Sequence, residues 1–416
     1  MSVMKAVGWG ALMTLATAMT ACGAQGPAGS SNDDDGSSGA TDDEGSSTGE
    51  FVTSGNSGSG GAGNGSGPSG GPAGSGAGGS TPSGIPVLGN GQHSADSVQI
   101  ATIATSSDGL DEPRDVAFHP TRAGELWVVN RADHSVTVLV GASSGSPSPE
   151  NCWDAEGEHF LAQPASLAFS DNGNFATIHE TDDFTQGGAT PADFMGPTLW
   201  TSNLSTFDAG HYGHYDMLHN SPNGMGIAWE TGNTFWVFDG YHSSISRYDF
   251  HGDHGPGGTD HSDGEIARYV EGQVKRSANV PSHLELLGTS LYIADTGNNR
   301  IAVLDINSGS PGSSMGPNYD FAEQYMVNGA SLVTLVDGGS VGLSKPSGLA
   351  INGGFLFVGD NATGTIHGFT MDGVHVDWLE TGRPAGSIMG LAFDEAGQLY
   401  VADAQADEVL QISEIP

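Results

Sequence analysis

The chain has 416 residues, 66 of them glycine, and sets 49 Asp and Glu against 11 Lys and Arg, a formal net charge of −38. Nucleic-acid binding requires clustered Lys and Arg to displace counterions from phosphates, so this balance excludes that partner. An acidic surface fits solubility and cation binding, and most of its carboxylates are expected to be plainly solvated.

Met1 to Lys5 carries one positive charge and precedes an apolar run from Ala6 to Met19, too short to span a bilayer as a helix. The run ends in Met19-Thr20-Ala21-Cys22, which resembles the bacterial lipobox. The resemblance implies a signal peptide over 1–21, acylation of Cys22, and a lipid anchor in the cell envelope, with the outer membrane or cell surface as the expected place. Ordinary secretion is the alternative. If Cys22 is acylated, Cys152 has no intrachain partner and is expected to serve as a small buried residue. Residues 22–86 are almost entirely Gly, Ser, Ala, Pro, Thr, Asn and Asp. Such a segment cannot bury enough apolar surface to offset its ordering entropy, so a disordered tether is expected, with a reach on the order of 40–50 Å.

From 87 to 416 one phrase recurs. The openings are Pro113-Arg-Asp-Val116, Pro164-Ala-Ser-Leu167, Pro222-Asn-Gly-Met225, Pro281-Ser-His-Leu284, Pro346-Ser-Gly-Leu349 and Ile388-Met-Gly-Leu391, and their apolar anchors lie 42 to 65 residues apart. Each is followed by a second apolar run closing on a polar residue: Asn130, His179, Asp239, Asp295, Asp360 and Asp403. In five of the six copies an apolar β-branched residue follows six positions later, which implies one turn geometry in which the polar side chain accepts backbone N–H groups. Short runs of Val, Ile, Phe, Tyr and Trp punctuated by Gly, Asn and Asp read as buried strands. Repeats of this length, each with several strands, predict an all-β, six-bladed β-propeller.

Two phrases, Tyr292-Ile-Ala-Asp-Thr-Gly-Asn-Asn-Arg-Ile301 and Pro346-Ser-Gly-Leu-Ala-Ile351, resemble the NHL repeat family, whose members form six-bladed propellers; the resemblance runs from Glu112 to Ser413. The last repeat has three evident strands before the chain ends. Asp96 to Thr105 is therefore expected to supply its outer strand, which would otherwise leave an open sheet edge.

Binding groups of a propeller are sought where loops converge on the channel. Eight of the 15 histidines fall between His211 and His283, and imidazole is the commonest metal ligand. The His251 to Gly264 loop mixes His, Asp and Gly and reads either as a hydrated surface loop or as a cation wrap. Neither an HExxH helix nor a Gly-x-Ser-x-Gly elbow is present. Within the NHL group, Asn130-Arg-Ala-Asp-His134 and Asp239-Gly-Tyr241 are similar to phrases of the peptidyl-α-hydroxyglycine α-amidating lyase, a zinc propeller. That resemblance implies Arg131 as a substrate-binding arginine and Tyr241 as a catalytic tyrosine. The three Pro-His zinc positions are occupied instead by Pro164-Ala165, Pro281-Ser282 and Ile388-Met389, and Thr296 stands where a second arginine is expected.

A different divalent-metal site (zinc, calcium or copper) is the remaining metal expectation, formed by His179, Asp239, His242 and His283 at one channel mouth; each of these also has a structural role available to it. Three functions follow for the propeller: binding a small molecule, peptide, glycan or metal at a His/Asp-rich mouth; a metal-dependent lyase or hydrolase; or an envelope scaffold for other proteins.

Overall fold

The structure is a computed structural model and describes residues 84–153, 157–181, 194–207 and 213–415. The leader, Cys22, most of the tether and His211 lie outside the described residues. Among the described residues no helix is long and apolar enough to cross a membrane.

Six sheets, antiparallel except for one strand pair in blade three, form a ring. Blade one runs from the channel outward through Pro113–Phe118, Glu125–Asn130, Ser135–Val140 and Ser148–Cys152. The other inner strands are Pro164–Phe169, Gly224–Thr231, Leu284–Leu287, Pro346–Asn352 and Ile388–Phe393. The core is not central. Instead six apolar clusters each join two neighbouring blades, as where Trp127 of blade one meets Phe175 and Trp200 of blade two. A strand in such a ring is buried on both faces, which explains the nearly unbroken apolar runs of the second strands. Cys152 is fully buried in the cluster between blades one and two, but it is disulfide-bonded, which corrects the expectation that it has no partner.

The ring closes as the sequence predicts. Val98–Ala104 pairs antiparallel with Glu408–Glu414, so the N-terminal strand is the outermost strand of blade six. The recurring polar residue at the end of each second strand is completely buried. Asp360 accepts the backbone N–H groups of Ser344, Lys345 and Ala362, and Asp403 those of Gln405 and Ala406.

Two features differ from the sequence reading. Register places Ile227 opposite Val237 and Gly226 opposite Phe238, just as Val116 faces Val128 and Asp115 faces Val129. The apolar anchor of blade three is therefore Ile227, not Met225; Pro222 stands five residues before that anchor, against three for the prolines of the other openings. Gly226 is required there, because a Cβ would lie 2.0 Å from the Ser282 carbonyl oxygen of the next blade. The second difference is an insertion. Ser310–Ser314 and Glu323–Asn328 leave blade four and extend blade three, the latter pairing in parallel with its outer strand Glu265–Tyr269. This covers an edge that would otherwise be open. Blade four takes Leu332–Asp337 as its own fourth strand.

Candidate functional site

Inner strands begin and second strands end on the same side of the ring, so the residues just outside them surround one mouth of the channel. A cavity of about 430 Å³ opens there, walled in part by Glu112, Arg114, Arg131, Asn279, Lys345 and Gln405. Arg114, second in its inner strand, is directed inward, and only 5% of its side chain is exposed. One terminal nitrogen donates to the Asn279 carbonyl at 3.0 Å and the other to Glu112 at 3.3 Å, but the buried Nε has no partner. Burial works against the Arg114 cation and lowers its pKa; Glu180 opposes this, Arg131 adds to it, and Glu112 opposes it. Arg131 reaches Glu112 at 3.3 Å, Glu180 at 3.3 Å and the Gln163 amide oxygen at 3.0 Å. Arg276 approaches Glu180 at 3.7 Å. Lys345 is exposed and makes no ion pair among the described residues.

Three arginines thus pair with Glu112 and Glu180, Lys345 stands on the wall, unpaired among the described residues, and Asp407 accepts the Glu112 N–H at 2.9 Å. In a chain with only 11 Lys and Arg, this is a strong local concentration of positive charge. A desolvated guanidinium with an unused N–H is suited to a carboxylate or another small oxyanion, since charge-assisted bonds strengthen where water is excluded.

Below the mouth a second cavity of about 390 Å³ occupies the channel. Its wall at the third inner-strand position carries Asp115 and Ser166, with His283 facing them from blade four. Asp115 accepts from Ser166 Oγ at 2.5 Å, from the Leu167 N–H at 3.1 Å and from its neighbour Val116 at 2.8 Å, and lies 3.5 Å from His283 Nδ1. Burial raises the Asp115 pKa, opposed chiefly by His283; burial lowers that of His283, opposed by Asp115. Blades one and four are opposite in the ring, so this contact constricts the channel beneath the cationic mouth. His283 Nε2 is buried without a partner. Farther along, burial followed by the Asp115 charge pushes Glu285 up to about 8.

The residues singled out from sequence do not meet at one point. Arg131 lines the mouth. Tyr241 is 51% exposed, packs its ring against His242 and is not part of the cavity wall. His179 is fully buried and bonded to Thr177 Oγ1 and the Gly196 carbonyl, each at 3.0 Å, and burial brings its pKa down to about 3. Asp239 accepts from the backbone of Tyr241 and His242, and its Oδ2 lies 2.8 Å from His242 Nδ1, which makes it the turn residue of blade three. His283 belongs to the channel constriction. Among the described residues one group of three metal-ligating side chains converges, and none of these four belongs to it.

Sequence reasoning missed Glu112, Arg114, Glu180, Arg276 and Lys345. A signal was present: Glu112, Arg114 and Lys345 each adjoin an opening proline, and Glu180 follows a second strand, so scarce charges sit at the repeat junctions.

No protein-family model matches the chain, and no curated protein matches it. Solved structures do. An auxiliary nutrient binding protein from Bacteroides ovatus is 15% identical, with 77% of each chain covered and a TM-score of 0.48. A luciferin-regenerating enzyme is 12% identical over 76% of this chain and 95% of that one, with a TM-score of 0.47. Virginiamycin B lyase from Staphylococcus aureus is 11% identical over 76% of this chain and all of the other (100%), with a TM-score of 0.44. The chain is a six-bladed β-propeller, and its chemistry must be argued from its own residues.

Proposed function

We propose that the propeller is a binding module for a small anionic molecule, of the carboxylate class, which enters the mouth between blades one, four, five and six. The observation that carries this reading is the Arg114 guanidinium, nearly fully buried beside the cavity with an unpartnered Nε. Arg131 and Lys345 add charge to its wall, and Asn279, Asn361 and Gln405 offer neutral hydrogen-bonding groups around it. The constriction at Asp115 and His283 sets the floor, and its carboxylate would repel a ligand charge pushed deeper, so the ligand's anionic end stays at the Arg114 level.

Calorimetric titration with a panel of mono- and dicarboxylates and their neutral amides tests this. A carboxylate is expected to bind and its amide not to; Lys345→Ala and Arg131→Gln should each weaken binding by roughly tenfold, as expected for loss of one charge-assisted contact. Equal binding of acid and amide, or affinity untouched in the double variant, would refute the proposal.

A further inference from the structure

The histidine-rich loop that joins the third and outer strands of blade three does not lie free. Its Gly257 N–H donates to the His214 carbonyl at 2.8 Å, on the outer strand of blade two, His214–Met217. Next to that contact is Asp216, a carboxylate with no exposed surface. One of its oxygens accepts from the Met217 N–H at 2.7 Å and meets His261 Nδ1 at 2.5 Å. The other, Oδ2, is buried and has no partner. A desolvated carboxylate oxygen left in that state calls for a cation.

Two imidazoles are placed to help hold one. Donor atoms of Asp216, His254 and His261 all lie within 4.8 Å of one another. The His254 and His261 rings are nearly parallel, 8° apart, with centroids 6.4 Å from each other. Asp263 approaches His254 Nε2 at 3.0 Å and is half-exposed, near enough to orient that ring or to act as a further ligand. Two nitrogens and one carboxylate form a donor set for a borderline divalent cation; calcium and magnesium favour a larger shell of oxygens. The strand contributing Asp216 is bulged where Trp200 faces His214 and Leu199 faces Asp216, a device that often re-aims side chains beside a site.

We propose that Asp216, His254 and His261 bind a zinc-class divalent ion that staples the blade-three loop to the outer strand of blade two. The loop between them holds Gly255, Pro256, Gly257 and Gly258 and little apolar surface, so ordering it carries an entropic cost that metal ligation offsets. The site lies at the outer strands and is separate from the channel mouth, so its failure leaves the anion-binding reading intact.

The test uses the full chain without a polyhistidine tag, stripped with a chelator and titrated with Co²⁺, then with Zn²⁺ as competitor. One equivalent should bind, with the visible absorption of a low-coordinate cobalt site that zinc abolishes. His254→Ala and His261→Ala should each weaken Zn²⁺ affinity by roughly tenfold or more, and His251→Ala, in the same loop, should leave it unchanged. Proteolysis within 251–264 should be faster in the stripped protein and slowed by added zinc. Absence of stoichiometric uptake overturns the proposal. So does uptake that survives both His254→Ala and His261→Ala, or that His251→Ala reduces as much. Because His254 is only partly buried, its variant remains informative if Asp216→Asn fails to fold.

Discussion

Asp377 anchors the segment that leads into the closing strand, and replacing it tests how the ring is latched. It lies in the outer strand of blade five, His375–Glu380, with no exposed surface. Its Oδ2 accepts the N–H of Ile85 at 2.7 Å and of Gly91 at 3.0 Å, while Oδ1 accepts the Trp378 N–H at 2.8 Å and lies 3.0 Å from His93 Nδ1. The His93 ring stacks on Trp378 with centroids 3.4 Å apart. Residues 85–93 are thus clasped to blade five before 98–104 completes blade six, so the N-terminal segment ties two blades together. Asp377→Ala removes two charge-assisted bonds across this clasp, each worth about 1.5–3 kcal/mol, and strands the buried Ile85 N–H, while the exposed Gly91 N–H can turn to water, giving a loss of about 3–6 kcal/mol. Asp377→Asn keeps one acceptor oxygen and should lose roughly half as much. Urea unfolding supplies the free energies, and hydrogen exchange supplies the location: amides of 98–104 should exchange faster in Asp377→Ala than those of blades two and three. A loss below about 1 kcal/mol, or exchange raised evenly around the ring, would refute the latch.

Two further predictions concern pH. Glu285, whose pKa rises from 4.5 to about 8 in the folded channel, binds its proton more tightly folded than unfolded. Stability is therefore fullest below pH 4.5 and declines as pH climbs toward 8, by at most ~1.4 kcal/mol per pH unit; Glu285→Gln should flatten that limb of the urea-derived profile, and an unchanged slope would show that Glu285 is not desolvated. His179 works in the opposite direction. Its folded pKa, about 3, lies below the ordinary 6.5, so stability is present above pH 6.5 and is lost as the medium is acidified toward 3. His179→Asn, the residue type blade one uses at that position, should keep the fold and make the acid limb shallower, as measured by thermal melting between pH 6.5 and 4.

The repeat phrase made the ring legible because each blade satisfies the same local demands: an apolar inner strand, a buried second strand, and a polar cap accepting turn N–H groups. The closing strand was equally legible, since an unpaired edge in blade six required a partner and 96–105 was the remaining strand-like segment. The insertion at 310–328 was not, because its place on the edge of blade three depends on a parallel pairing that no local pattern announces. In the His-rich stretch the residues that converge are His254 and His261 with Asp216 of blade two, whereas His179, Asp239 and His242 are occupied by backbone and turn contacts.

By itself, then, the sequence determined the strand pattern, the blade number and the way the ring closes, since burial periodicity and turn chemistry act over a few residues. Only the tertiary structure decided which charges share a pocket. Glu112 and Lys345 are 233 positions apart in the chain and line one cavity, because a closed ring brings blade junctions together regardless of their separation in sequence. Coulomb interaction and desolvation depend on distance and depth, and both are fixed by that closure.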